Sequence, residues 1–138
     1  MSENEINFAY IISCGDPKIR AELTRFFDNR FGKEKYFWMP EFGGVKDLLY
    51  PNEEGDRKHI LRKIQIAQKV HPFGLVILIN HSACGAYALD GETFDDPKTG
   101  EAFHAEELKQ AEVRIKDAFP KIAVEHNYFL KAEQRLAW

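Results

Sequence analysis

The sequence predicts an α/β fold on a mainly parallel sheet, and three observations carry that reading. Apolar, strand-like runs alternate with segments of helical spacing. One run, Phe73 to Asn80, is apolar nearly throughout, as a central parallel strand covered on both faces must be. The length of 138 residues, with 44% apolar and 30% charged residues, suits one globular domain (1–138) able to bury a core.

Taken in order, Phe8 to Ser13 reads as the first strand. Pro17 is placed to open a helix, because its missing N–H costs nothing in a first turn. Ile19, Leu23, Phe26, Phe27 and Arg30 then follow at helical spacing, and Asn29 to Lys33 ends the helix with Gly32 as the stop. Tyr36 to Met39 reads as a short strand, followed by a turn from Pro40 to Gly44 with two glycines. A second helix covers Glu54 to His71, with Ile60, Leu61, Ile64, Ala67 and Val70 on one face. After the Phe73 to Asn80 strand, polar Asp90 to Gly100 reads as a surface loop. A third helix runs from about Ala105 to Phe119 and stops at Pro120, and Ile122 to Tyr128 reads as the last strand. The final ten residues fit no single pattern. Repeats, low-complexity tracts and linkers are absent from the sequence.

The formal charge of −3 supplies no electrostatic reason to expect nucleic acid or an anionic membrane as partner. Met1 to Asn7 is acidic and polar, unlike a secretory signal, and no apolar run approaches a membrane span. The expected location is therefore the cytoplasm. Thiols stay reduced there, so a Cys14–Cys84 disulfide is a weaker reading than metal binding or catalysis.

Both cysteines fall just past an apolar strand. Cys14-Gly15-Asp16 follows the first, and His81-Ser82-Ala83-Cys84-Gly85 follows the third. Ligands in open α/β sheets bind at the carboxyl ends of strands, where these residues lie. Two thiols and an imidazole suit zinc or another borderline metal, and not magnesium or calcium. Three such ligands with one open position make a catalytic site, and four close a structural one. Asp16 has competing readings: a fourth ligand, a holder of the reacting water, or a cap on the helix at Pro17. Cys14 and Arg20 also show the spacing of cysteine-dependent phosphatases. That chemistry is disfavoured, since Asp16 would put negative charge in the phosphate cradle and Pro17 lacks an N–H.

Cys14-Gly15-Asp16, Gly43-Gly44-Val45 and His81-Ser82-Ala83-Cys84-Gly85, in this order and spacing, resemble the β-class carbonic anhydrases. The signatures of that family are Cys-x-Asp-x-Arg after the first strand and His-x-x-Cys-Gly after the third. The likeness spans roughly Phe8 to Tyr128. It implies three layers, a parallel core of four to five strands flanked by helices, and Zn2+ held by Cys14, His81 and Cys84. It also implies a homodimer or higher homo-oligomer, and hydration of CO2 to bicarbonate by zinc-bound hydroxide. Some relatives hydrolyse CS2 or COS at the same kind of site.

The chain departs from the pattern in three ways. Lys18 stands where the first signature has Arg, the residue that in the family pairs with the Asp and keeps it off the zinc. Pro40-Glu41-Phe42-Gly43 replaces a polar stretch before the paired glycines, and the chain is short, without an N-terminal helical arm. Two outcomes follow. In one, the protein is an active enzyme with catalytic Asp16, and Lys18 or Arg20 replaces the missing Arg. In the other, Asp16 closes the fourth metal position and little hydration activity remains.

Several other residues have bland readings beside functional ones. Tyr36 to Phe42 is rich in aromatics, suiting strand core, a subunit interface or a pocket wall. His59, His71, His104 and His126 read as surface or helix-end residues. Tyr87 reads as a pocket wall or a helix-face contact, and Phe103 and Phe119 as anchors of the third helix. Arg57, Lys58, Arg62 and Lys63 read as a solvated face.

Overall fold

The computed structural model describes residues 8–138. The polar segment Met1 to Asn7 and its reading as no secretory signal lie outside them. Five strands form one sheet, β1 (Ala9–Ser13), β2 (Tyr36–Pro40), β3 (Leu75–His81), β4 (Ala123–Leu130) and β5 (Arg135–Leu136), in the order β2-β1-β3-β4-β5. The first four run parallel, and β5 is antiparallel to β4. From β1 the chain winds to β2 on one side, then crosses back to β3 on the other. That reversal opens a crevice between the carboxyl ends of β1 and β3, where such sheets bind ligands.

Helices cover both faces, completing the three layers. Along β1, Ala9 and Ile11 meet Ile19, Leu23 and Phe27 of helix α1 (Pro17–Phe31). Tyr10 and Ile12 face the other way, toward Ile60 and Ile64 of α3 (Glu54–Val70) and Leu108, Ala111 and Ile115 of α5 (Pro97–Ala118). The period-2 alternation of the strand thus divides one apolar run between two cores. Short helices α2 (Lys46–Leu49) and α4 (Gly85–Leu89) lie in the loops after β2 and β3.

Local chemistry accounts for the helix starts. α1 and α5 open on the same tripeptide, Asp16-Pro17-Lys18 and Asp96-Pro97-Lys98. In each, the Asp side chain accepts the Lys N–H, at 2.9 and 3.0 Å, and Pro occupies the first turn. The expected surface loop Asp90 to Gly100 is therefore too long and the third helix starts earlier than Ala105. Gly100 belongs to the first turn of α5 because the ring of Phe94 packs where a Cβ would stand, at 3.3 Å. The unpatterned C-terminal residues form a turn and β5. There the Asn127 amide and the Tyr128 N–H both donate to the Trp138 carbonyl, at 2.8 and 3.3 Å.

Three other expectations are revised. His104 is not a surface residue: it is 2% exposed and stacks on Tyr128. Its helix faces the sheet at that point, and Asn80 supplies the polar partner that makes burial tolerable. His126 lies half-buried on β4, 3.1 Å from Glu112, whereas His71 ends α3 as expected and stacks on Phe8 with ring centres 3.9 Å apart. Within the basic cluster, Arg57 donates to the Leu48 and Leu49 carbonyls at 2.7 and 3.1 Å, and Lys63 pairs with Glu41. Those two cations brace α3 against the β2–α2 segment instead of facing only water. Among the described residues no helix is long and apolar enough to cross a membrane.

Candidate metal centre

Two loops at the β1–β3 crevice place the sulfur and nitrogen donors. Cys14 leaves β1 directly after a strand with every residue buried. The Glu41 N–H extends the β1–β2 pairing by donating to the Ser13 carbonyl at 2.8 Å, which aims the following glycines at Cys14. Gly44 has φ +65°, and a Cβ there would stand 2.4 Å from Asn80 Oδ1 and 2.6 Å from the Ile79 carbonyl. Only glycine permits that approach. Gly43, with φ +81°, lies on the same turn, and its backbone N–H helps to lower the Cys14 thiol.

On the other loop, His81 is the last residue of β3, one position past the expected strand end. The chain turns sharply at Ala83, a non-glycine residue with φ +52°, and this returns Cys84 toward the strand it left. Cys84 immediately precedes α4 without a side-chain capping hydrogen bond, and the Ala86 and Tyr87 N–H groups partly offset the upward push that Cys14 and burial give its thiol.

The outcome is a cluster of Cys14, His81 and Cys84 whose donor atoms all lie within 4.8 Å of one another. The two sulfurs are 4.0 Å apart and both cysteines are free. All three residues are buried. His81 Nδ1 lies 2.6 Å from the Ser82 carbonyl, so that nitrogen carries the proton and donates it. Nε2 is then a bare lone pair, buried and without a hydrogen-bond partner among the described residues. Such a nitrogen costs about 1–3 kcal/mol unless something accepts its electrons. A divalent metal does so, and the donor set of two sulfurs and one imidazole fits zinc. Bonding to the Cys84 thiol holds Cys14 well below the usual thiol range, against its burial and with help from His81 and the Gly43 N–H. A thiolate is the form a metal binds.

Asp16 stands beside this cluster, outside the group of mutually close donors. Its Oδ1 accepts the Lys18 N–H at 2.9 Å, the helix-cap contact foreseen from the sequence. Its Oδ2 lies 4.0 Å from His81 Nε2 and 2.6 Å from Lys131 Nζ. Burial pushes the Asp16 carboxyl up, but the Lys131 ammonium and the Lys18 N–H outweigh it and hold the group below the usual carboxylate range. The side chains named in the sequence as replacements for the missing Arg go elsewhere. Lys18 is exposed and meets Asp16 only through its backbone N–H. The Arg20 guanidinium lies over the Trp38 ring, 5.3 Å from its centre, a placement favoured by the ring's negative face. The cation that reaches Asp16 is Lys131, from the unpatterned C-terminal segment. Nothing local in the sequence marks it.

A cleft of about 560 Å³ opens along Cys84, walled by Tyr87, Phe94, His104, Tyr128 and Leu130. Cys84 is the one member of the cluster on its wall. Behind it, Asn80 accepts the Val45 N–H at 3.1 Å and bonds His104 at 2.9 Å and the Tyr87 hydroxyl at 3.3 Å. Asn80 immediately precedes His81, so this network anchors the strand end that carries a donor. Sequence reasoning missed Asn80 as well, because at the end of an apolar run it reads only as the last residue of a strand. Of the aromatic segment, Trp38 donates to Ser13 Oγ at 2.6 Å, while Phe42 is 78% exposed.

A mainly parallel α/β sheet with a Cys-His-Cys cluster that could hold a metal at its winding reversal is the arrangement of a carbonic anhydrase-type domain. The chain matches, over residues 4–135, the family model described as "Putative carbonic anhydrase", and it belongs to that family. Among solved structures it is similar to carbonic anhydrase from Streptococcus mutans, with TM-score 0.61 and 12% identity over 99% of this chain and 84% of that one. It is also similar to carbonic anhydrase from Glaciozyma antarctica, with TM-score 0.57 and 17% identity over 93% and 79%. A third likeness is to the tetrameric β-carbonic anhydrases of Sordaria macrospora, with TM-score 0.53 and 16% identity over 93% and 78%. At these identities the likenesses establish the fold. No curated protein matches the sequence.

Proposed function

We propose that this protein is a zinc enzyme that reversibly hydrates CO2 to bicarbonate, with Cys14, His81 and Cys84 holding the metal. The observation that carries the reading is the bare, buried Nε2 of His81 within 4.8 Å of two free thiols. Zinc held there supplies Lewis acidity, which makes water a usable nucleophile near neutral pH. The protein's own groups supply the rest. The Ser82 carbonyl fixes the His81 tautomer, so its lone pair faces the cluster. N–H groups of Gly43, Ala86 and Tyr87 favour the charged form of the sulfurs. Asp16 Oδ2, ionised and 4.0 Å from His81 Nε2, is placed to accept a hydrogen bond from the reacting water and orient it. The cleft wall of Tyr87, Phe94, Tyr128 and Leu130 offers apolar surface to a small uncharged gas.

The decisive experiment is a stopped-flow assay of CO2 hydration at mildly alkaline pH with protein carrying stoichiometric zinc. Turnover proportional to protein, and lost in Cys84→Ser, supports the enzyme. A buffer-level rate with zinc fully bound overturns it and selects the alternative of a closed, inactive metal centre. Sulfide release from COS or CS2 in place of CO2 turnover would reassign the substrate at the same residues. The working unit in this reading is a homodimer. Phe42 and Leu89, 78% and 88% exposed, lie on two segments tied together by the Lys46–Asp90 ion pair at 2.7 Å, and they give a partner copy an apolar face to cover.

A further inference from the structure

We infer that Lys131 is the positioning residue that keeps the Asp16 carboxylate out of the metal's donor set, a role that rests on the metal-centre reading above. Donor atoms around a tetrahedral zinc stand about 3.3–3.8 Å apart. Asp16 Oδ2 is 4.0 Å from His81 Nε2, so a movement of about 0.7 Å brings it to the roughly 3.3 Å that separates an oxygen and a nitrogen on one zinc. A carboxylate so close to a divalent cation coordinates unless something else holds it. Both of its oxygens are held. Oδ1 caps α1 through the Lys18 N–H at 2.9 Å, and Oδ2 takes the Lys131 ammonium at 2.6 Å. The second contact is a charge-assisted bond between half-screened groups, with side chains 15% and 22% exposed, and such bonds are roughly twice as strong as neutral ones.

Lys131 can serve in this way because the metal loop itself fixes its backbone. β3 and β4 pair in register up to His81 opposite Phe129. Just beyond, the Ser82 N–H donates to the Phe129 carbonyl at 2.9 Å, and the Lys131 N–H donates back to the Ser82 hydroxyl at 2.8 Å. The Gln134 side chain closes the same turn by donating to the Lys131 carbonyl at 2.8 Å. Ser82 therefore connects the His81 donor, through its carbonyl, with the cation that restrains Asp16, through its hydroxyl. Neither Lys18 nor Arg20 is available for this task, since one is exposed and the other lies on Trp38.

The test uses full-length protein loaded with cobalt(II), whose visible bands report its donor set, titrated with thiocyanate as an exchangeable ligand. Metal content is measured for every variant. In the parent protein thiocyanate shifts the bands. In Lys131→Met the starting spectrum changes and thiocyanate binding weakens by at least about tenfold, because Asp16 takes the place of the exchangeable ligand. Lys131→Arg keeps the response, and Asp16→Asn added to Lys131→Met restores it. A merely structural role for Lys131 predicts neither the spectral change nor that restoration. If Lys131→Met does not fold, Lys131→Gln replaces it under the same criteria. A Lys131→Met or Lys131→Gln protein that binds cobalt and titrates as the parent does overturns the inference and leaves the metal centre standing. A parent protein that takes up no cobalt overturns the metal centre and the role of Lys131 with it.

Discussion

The side-chain amide of Asn80 sets the tautomer of the buried His104. Asn80 Oδ1 accepts the Val45 N–H at 3.1 Å, so the amide nitrogen is the end that faces His104 Nδ1 at 2.9 Å. An N–H pointing at Nδ1 requires a lone pair there, which puts the ring proton on Nε2 and makes the imidazole neutral. Burial, with a smaller contribution from His81, pulls the same ring down to about 4. The hydrogen-bond pattern and the electrostatics thus agree on an uncharged histidine behind the cleft.

That neutrality makes stability depend on pH. In the unfolded chain the ring binds a proton below its ordinary value of 6.5, and in the folded protein only below about 4. Between those values the unfolded state holds more protons, so stability is complete above 6.5 and is lost as pH falls toward 4. The loss from this one group amounts to about 3 kcal/mol. Denaturant unfolding of parent and His104→Leu across that window measures it. Both proteins are compared without metal, so the difference between the curves isolates the ring. Parallel curves would show that His104 takes up its proton as readily folded as unfolded.

Asn80→Leu, close in shape, removes the acceptor for the Val45 N–H and the donor for His104 Nδ1. Two buried polar groups without partners cost about 2–4 kcal/mol together. Denaturant midpoints check the figure. A change below about 1 kcal/mol would mean that water or a rearranged side chain replaces the amide.

Gly44→Ala tests the close approach of the two loops. Left-handed backbone alone costs alanine about 1–2 kcal/mol. Here the new methyl also meets a backbone carbonyl, at 2.6 Å from Ile79 O, which cannot move without shifting β3. The expected loss is at least about 3 kcal/mol, with weaker metal binding because the turn that packs against the Cys14 loop and the end of β3 is displaced. Gly91→Ala is the control, since φ is +84° there but nothing lies within 4 Å of the added Cβ. It should cost only the backbone part. Equal losses at the two positions would exclude the contact as the cause.

Much of this architecture was legible because its signals are local. Pro17 after Asp16 marks a helix start by itself, and the apolar run into His81 marks a central strand. The two donor motifs needed only their positions after such strands. The same Asp-Pro signal at Asp96-Pro97 was masked by the acidic, glycine-bearing stretch around it, and packing of Phe94 on Gly100 is what makes a helical turn there stable. Lys131 and His104 were illegible for a different reason. Each owes its role to a partner distant in sequence, Asp16 for one and Asn80 for the other, brought near only by strand pairing and helix docking. An exposed-type residue in an unpatterned tail and a histidine on an amphipathic helix carry no mark of such partners.

Metal removal should cost stability as well as activity. A metal held as proposed would bind the folded cluster and not the separated ligands of the unfolded chain, so its binding free energy would be folding free energy. At free metal one thousand times its Kd the stabilisation is about 4 kcal/mol. Chelation also leaves His81 Nε2 and the two sulfurs facing one another without their shared partner. The midpoint of thermal unfolding is therefore expected to fall by several degrees on treatment with a strong chelator. It should recover on adding back zinc, to a lesser extent on cobalt, and not on magnesium, which dislikes sulfur. Cys14→Ser should lower the zinc-bound midpoint and abolish the response to chelator. A chelator that leaves the parent midpoint unchanged, with zinc shown to be stripped, would mean that the cluster is as stable empty as filled.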